Sequence, residues 1–280
     1  MSGRNLVGGI DESSGGQWEG GVASELAECV LAPNPSPWTL DGTNTWILGA
    51  RGGKGVIVDP GPLGGGHREA ILQTVEQRRT TVVAVVLTHG HLDHSEGAAD
   101  LARHLGVGVR AWDPARSLAG HGDDVTLVDD DRIEVEGAQI RVIATPGHSS
   151  DSVCFLVGDS VLTGDTVLGR GTSMVAHPDG TLADYLASLQ ILARVCSEHG
   201  VERLLPGHGP VLGEPIRVVE YYVSHRHERL RQVRSAMEAG AVTVQQIVDL
   251  VYSDIPTGIR PAAEATVRAQ LEYLRDDLTN

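Results

Sequence analysis

Apolar residues recur in short runs through residues 25–213, separated by turns rich in Gly and Pro. Cys29–Ala32 reads as a short strand, and a Pro-rich loop follows to Pro37. Asn44–Gly49 and Gly55–Asp59, joined by a Gly-rich turn, read as a hairpin. Thr81–Leu87 is a continuous β-branched run, the pattern of a strand buried on both faces. Further short strands are predicted near 107–112, 125–128, 133–135, 140–143, 153–157, 161–162 and 204–205. Helical spacing covers 67–77 and 95–105, where Ala98, Ala99, Leu101, Ala102 and Leu105 form an apolar face. It recurs at Leu182, Leu186, Leu189, Leu192 and Val195, with Thr181 placed to cap. Runs of strands interrupted by helices predict an α/β protein of two sheets with helices outside.

From residue 214 the pattern becomes helical only: Pro215–Ala239, Val244–Tyr252 and Ala262–Leu278. This predicts a small appendage over 214–280, of helix-turn-helix or winged-helix type. Residues 1–24 are rich in Gly and Ser and lack an apolar signal region, so a disordered leader is expected there, not a signal peptide or membrane anchor. The main domain then spans 25–213. No apolar run approaches the roughly 18 residues that cross a bilayer, so no membrane partner is expected.

Composition adds three constraints. With 41% hydrophobic residues the chain has ample core, and a single Phe makes that core aliphatic. Cys29, Cys154 and Cys196 are odd in number and contain no C-x-x-C pair, as expected of reduced thiols in a cytoplasmic protein. The net charge of -15 disfavours a general polyanion binder. That charge is uneven: residues 215–280 carry 8 Arg against 9 acids, so 14 of the 22 basic and 28 of the 37 acidic residues lie upstream. No obligate protein partner is evident.

The strongest chemical signal is Thr88-His89-Gly90-His91-Leu92-Asp93-His94, directly after the buried strand. Four potential metal ligands within six residues cannot share one strand face. They require the chain to curl round a centre, with His89 and His91 to one side and Asp93 and His94 turned to a second position. Three more pieces follow, each at the end of an apolar strand: Pro146-Gly147-His148, Thr163-Gly164-Asp165 and Pro206-Gly207-His208. Taken singly, each is more often structural; in succession they point to one metal centre. Asp59, in Val58-Asp59-Pro60-Gly61, reads either as a turn residue or as a support for that centre.

In these motifs the chain resembles the metallo-β-lactamase superfamily over about residues 29–210. The resemblance implies an αββα sandwich with metals at one edge of the sheets. By its pattern His89, His91 and His148 hold one cation, Asp93, His94 and His208 hold the other, and Asp165 bridges both. The donor set suits zinc, and also iron or manganese. The implied chemistry is hydrolysis by a hydroxide shared between two divalent metal ions, with Asp93 orienting the nucleophile. The best-known zinc β-lactamases carry cysteine where this chain has Asp165. The aspartate and the extra His94 resemble glyoxalase II-type thioesterases and phosphodiesterases instead. Asn34-Pro35-Ser36-Pro37, Gly42-Thr43-Asn44-Thr45, His94-Ser95-Glu96-Gly97 and the tail 221–229 resemble the lactamase-beta-like protein 2 group, whose members are associated with cleavage of single-stranded RNA and whose relatives are described as thioester hydrolases.

Three substrate readings follow. For single-stranded RNA, the run 225–234 supplies Arg226, Arg229 and Arg231 as phosphate contacts. The same run also reads as a solvated helix face with Glu228 and Arg231 paired. For a small (thio)ester, the appendage would shape an acyl pocket. A nucleic-acid-binding regulator with a vestigial metal domain is the third reading. Arg170, Thr172 and Ser173, just past Asp165, are candidate substrate contacts.

Overall fold

The computed structural model describes residues 17–117, 126–253 and 255–277. Two sheets face each other. The first has the order β1 (Gly21–Ser24), β2 (Ala27–Leu31), β3 (Asn44–Leu48), β4 (Lys54–Val58), β5 (Thr81–Val86) and β6 (Gly108–Arg110). Neighbours from β1 to β4 are antiparallel, whereas β4, β5 and β6 run parallel. The crossovers are α1 (His67–Arg78), then α2 (Leu92–Ser95) with α3 (Ala98–Leu105). The second sheet lists β7 (Arg132–Val135), β8 (Ala138–Ala144), β9 (Val153–Val157), β10 (Ser160–Gly164) and β11 (Arg203–Pro206) from one edge to the other. Only β10 and β11 are parallel there, joined by α4 (Leu182–Glu198).

The continuous apolar strands are explained by two-sided burial. Along β3 and β4, Trp46, Leu48, Val56 and Val58 enter the core between the sheets, where Val142, Phe155 and Leu162 meet them. Ile47 and Ile57 point outward onto Ile71, Val75 and Leu101 of the helices. Across the molecule Ile143, Cys154 and Leu204 of the second sheet pack under Leu189 and Leu192 of α4. The result is the four-layer sandwich with helices outside that the pattern predicts.

The tail is helical as predicted: α5 (Pro215–Glu238), α6 (Val244–Val251) and α7 (Arg260–Asp277). Pro215 opens α5, and Thr243 with Gln246 closes a reciprocal capping box on α6. Val219, Tyr222 and Val233 of α5 share one apolar cluster with α4, so the appendage is rooted in the sandwich.

Three details differ from the sequence reading. The supposed leader ends earlier: β1 (Gly21–Ser24) pairs with β2 in the first sheet, and Trp18 just before it donates to Asn44 Oδ1 at 2.7 Å. Residues 1–16 lie outside the described residues. The expected helix over 95–105 is broken at Gly97, which packs so closely on the Gly61 carbonyl that a Cβ would stand 3.0 Å from its oxygen. Of the strand expected at 125–128, Val125 lies outside the described residues, and Thr126 makes one bridge to Ala111.

This topology gathers the motifs. The C-terminal ends of β4 and β5 coincide because the strands are parallel, as do those of β10 and β11. β8 points the same way as β10, since both are antiparallel to β9. The sheets are stitched together at this edge by Val153 N–H to the Thr88 carbonyl (2.8 Å) and Asn44 N–H to the Gly207 carbonyl (2.7 Å).

Candidate metal centre

Four strand ends deliver the side chains. Leu87 and Thr88 leave β5 and lead into the histidine loop, and α2 begins at Leu92, carrying Asp93 and His94 round the centre, where the His94 ring lies 4.3 Å from that of His89. β8 leads to His148, β10 to Asp165 and β11 to His208. Glycine is required at the last approach: a Cβ on Gly207 would stand 2.5 Å from Asp165 Oδ1 and 2.7 Å from His94 Cε1.

The seven predicted side chains converge. His91 Nδ1 lies 3.0 Å from His89 Nε2 and 3.1 Å from His148 Nε2. His94 Nε2 and His208 Nε2 are 3.2 Å apart, and Asp93 Oδ2 is 3.2 Å from His208 Nε2. Asp165 lies between the two groups, with Oδ1 3.4 Å from His94 Nε2 and Oδ2 3.4 Å from His208 Nε2 and 3.8 Å from His148 Nε2. Ligand atoms of His89, His91 and His148 lie within 4.8 Å of one another, and so do those of Asp93, His94 and His208. Tetrahedral ligands on bonds of about 2.0–2.2 Å stand roughly 3.3–3.6 Å apart, so these spacings fit cation sites. Asp165 Oδ1, buried and without a hydrogen-bond partner, is a further sign that a cation belongs here.

Four of the histidines are fixed from behind through the ring nitrogen that does not face the centre. His94 Nδ1 is 2.9 Å from Asp59 Oδ2, His148 Nδ1 is 3.0 Å from the Met174 carbonyl, and His208 Nδ1 is 3.1 Å from the Gly42 carbonyl. His89 Nδ1 is 3.0 Å from Thr88 Oγ1. Such partners set the tautomer and aim the free lone pair inward. Asp59 thus supports the centre; its carboxylate also accepts from Thr88 N–H (2.8 Å) and Oγ1 (2.6 Å).

Protonation divides the cluster. Burial pushes His148 down to about 4 and His89 well below the ordinary histidine value, leaving both neutral at pH 7. Burial acts the same way on His94 and His208, but Asp165 outweighs it. With Asp59 it holds His94 well above the usual value, and with Asp93 it lifts His208 to about 9. Asp165 in turn is kept ionised, against its burial, by His208 and His94. A cation bound to that half displaces protons.

The centre forms the floor of a cleft of about 590 Å³. Its walls are Trp38, Leu92, Leu168, Met174 and, from the tail, Ile259 and Ala262. Trp38 and Leu92 are 45% and 66% exposed at the mouth. Among the described residues lining the cleft there is no Lys, Arg, Tyr or Cys.

The candidate substrate contacts fare differently. Thr172 lines the cleft, whereas Arg170 is engaged by Asp41. Ser173 reaches the cleft but is 3% exposed, and its hydroxyl lies 3.2 Å from His148 Nδ1, so it supports that imidazole. The arginine groove expected on α5 does not form. Arg226 is 2% exposed, hydrogen-bonded to the Ser173 carbonyl and stacked 4.7 Å above the Tyr185 ring. Arg229 donates to the Val251 carbonyl (2.6 Å) and covers the Tyr252 ring at 4.7 Å. Arg231 faces solvent, paired with Glu228. Successive arginines on one helix point in different directions, and apolar burial of one α5 face claims two of the three. The supporting carbonyls of Gly42 and Met174 were not legible, since a backbone oxygen leaves no trace in residue identity.

Residues 38–208 match the family model described as metallo-beta-lactamase superfamily, and residues 243–277 that of the beta-lactamase associated winged helix domain. A beta-lactamase-like protein 2 homolog of Caenorhabditis elegans is 30% identical over 261 residues, covering 91% of this chain and 85% of that protein. An atrochrysone carboxyl ACP thioesterase of Cryptosporiopsis is 33% identical over 254 residues, covering 84% and 74%. A crystal structure of a beta-lactamase domain protein from Burkholderia ambifaria superposes with a TM-score of 0.74 at 21% identity, covering 91% of this chain and 88% of that one.

Proposed function

Since the chain belongs to the metallo-beta-lactamase superfamily, we propose that it hydrolyses the thioester of an apolar acyl group at a dinuclear zinc centre. The observation that carries this reading is the cleft: an apolar chamber whose floor is the His/Asp cluster and whose described walls hold no cationic side chain for phosphates. In this reading His89, His91 and His148 would hold one cation and Asp93, His94 and His208 the other, with Asp165 available to both. The imidazole and carboxylate donors, their spacing and the orphaned Asp165 Oδ1 support that assignment. When bound, such cations polarise a carbonyl oxygen and bring the pKa of a water down toward about 7.

The chain's own residues do the rest. Asp93 has the most exposed carboxylate of the cluster, 32% against 12% for Asp165, and opens onto the cleft. It orients the attacking water and takes up its proton. The acyl group lies along Trp38, Leu92 and Ile259, which exclude bulk water from the carbonyl. Water oxygen bonds to the carbonyl carbon, the C–S bond breaks, and the sulfur leaves as thiolate. A thiol of pKa about 8.5 needs no general acid to depart. An RNA ribose oxygen does, and the described lining supplies no side chain for that outside the cluster itself.

The test is a side-by-side turnover measurement of the zinc-loaded protein on acyl-thioesters of graded length, single-stranded RNA, a phosphodiester reporter and a β-lactam, with Asp165→Ala as the blank. Thioester turnover that improves with acyl length and vanishes in the blank is expected. RNA cleavage above the blank without thioester turnover would overturn the proposal.

A further inference from the structure

Arg226, offered by the sequence as a phosphate contact, has a different task. Helix α5 places Tyr222 and Arg226 one turn apart on a face buried against the loop 165–176. That loop begins with Asp165 and ends with the Ser173 hydroxyl and Met174 carbonyl that hold His148 Nδ1. Tyr222 grips its middle: the hydroxyl accepts from Leu168 N–H at 2.9 Å and lies 3.2 Å from the carbonyls of both Leu168 and Gly171. Arg226 grips its end through the Ser173 carbonyl. Between them Tyr185 of α4 supports the guanidinium and donates to the Thr166 carbonyl at 2.6 Å, one residue past Asp165.

The cost of this arrangement argues that it is used. Arg226 is buried with Nε lacking any hydrogen-bond partner, and no carboxylate pairs with it among the described residues. Burying an unpaired charge is costly, and a Leu or Met would fill the same space at less expense. What an apolar side chain cannot do is hold a carbonyl. We infer that Tyr222 and Arg226 are positioning residues of the cation site, fixing the loop so that Asp165 and His148 face one centre. The C-terminal segment is then part of how the centre is built. This rests on the cluster being a cation site, and is independent of the substrate.

The experiment is a Co²⁺ titration of the full, cation-free chain, followed by visible absorption, which reads the coordination sphere directly, and by chelator competition. Wild type is compared with Tyr222→Phe, Arg226→Met and Arg226→Lys. Tyr222→Phe and Arg226→Met should alter the absorption bands and weaken at least one cation about tenfold, the lower end of what outer partners contribute. Arg226→Lys, still able to reach the Ser173 carbonyl, should recover part of the loss. Wild-type bands and affinities in both Tyr222→Phe and Arg226→Met would overturn the inference. Should Arg226→Met fail to fold, Tyr222→Phe decides alone, since it removes one hydroxyl and keeps the ring. Failure of the wild type to bind Co²⁺ would defeat the cation site itself and this inference with it.

Discussion

Asp59 sits in the left-handed backbone region (φ 51°), a conformation that aspartate tolerates better than most residues. Its carboxylate thereby faces back to serve Thr88 and His94 together. Asp59→Ala should weaken cation binding about 10–100-fold in a chelator competition, the range for outer partners of metal-ligating histidines. Behind it, Thr45 Oγ1 donates to the Asp59 carbonyl (2.6 Å) and so must accept from His67 Nε2 (2.8 Å). The His67 proton therefore resides on Nε2, and a second proton on the buried Nδ1 would meet no acceptor. Burial accordingly pushes His67 down to about 4. The unfolded chain binds a proton below about 6.5 while the folded chain does not, so stability is complete above that pH. It is lost as pH falls to about 4 and levels off below, by at most about 3 kcal/mol. Urea unfolding of the cation-free protein from pH 7.5 to 4 should show this loss shrink in His67→Gln; an unchanged slope would refute the assignment. At this scale the sequence exposes what residue identity encodes. The seven converging side chains were legible because His and Asp recur in four motifs, each at the end of an apolar strand, and Asp59 was ambiguous because turns also favour aspartate.

Among elements, the strands were legible where both faces are buried, since β3, β4 and β5 then read as unbroken apolar runs. β1 was not: Gly21–Ser24 is a short edge strand with little apolar burial, and its composition is that of a loop. The arginines of α5 misled for a related reason. Charge predicts a solvated face, yet Arg226 and Arg229 lay their guanidinium groups on Tyr185 and Tyr252 inside the helix packing. The turn after β11 carries the sharpest prediction at this scale. Gly207→Ala inserts a methyl 2.5 Å from Asp165 Oδ1, so both that carboxylate and His94 must give way. Cation affinity should fall at least tenfold, while overpacking costs stability about 1–3 kcal/mol. Calorimetric titration with Zn²⁺ beside thermal unfolding separates the two; unaltered affinity would show that the approach is not needed.

For the whole molecule, the appendage and the sandwich meet at the cleft, where Ile259 and Ala262 of the tail share its lining with Trp38 and the His/Asp cluster. The sequence showed a sandwich, a helical tail and one centre, and its thioester reading had the tail shape a pocket; the support that Tyr222 and Arg226 lend the loop after Asp165 was not legible, because contacts between distant segments have no local signature. None of the helices among the described residues is long and apolar enough to cross a membrane. An acidic chain, net charge -15, with an apolar cleft suits a substrate recognised by its acyl group more than by phosphates. The proposed chemistry depends on the cluster holding two cations. Elemental analysis of the purified, zinc-equilibrated chain therefore tests it most directly: two equivalents per chain are predicted, falling to one or none in Asp165→Ala. A wild type that retains fewer than two, or an Asp165→Ala variant that retains both, would contradict it.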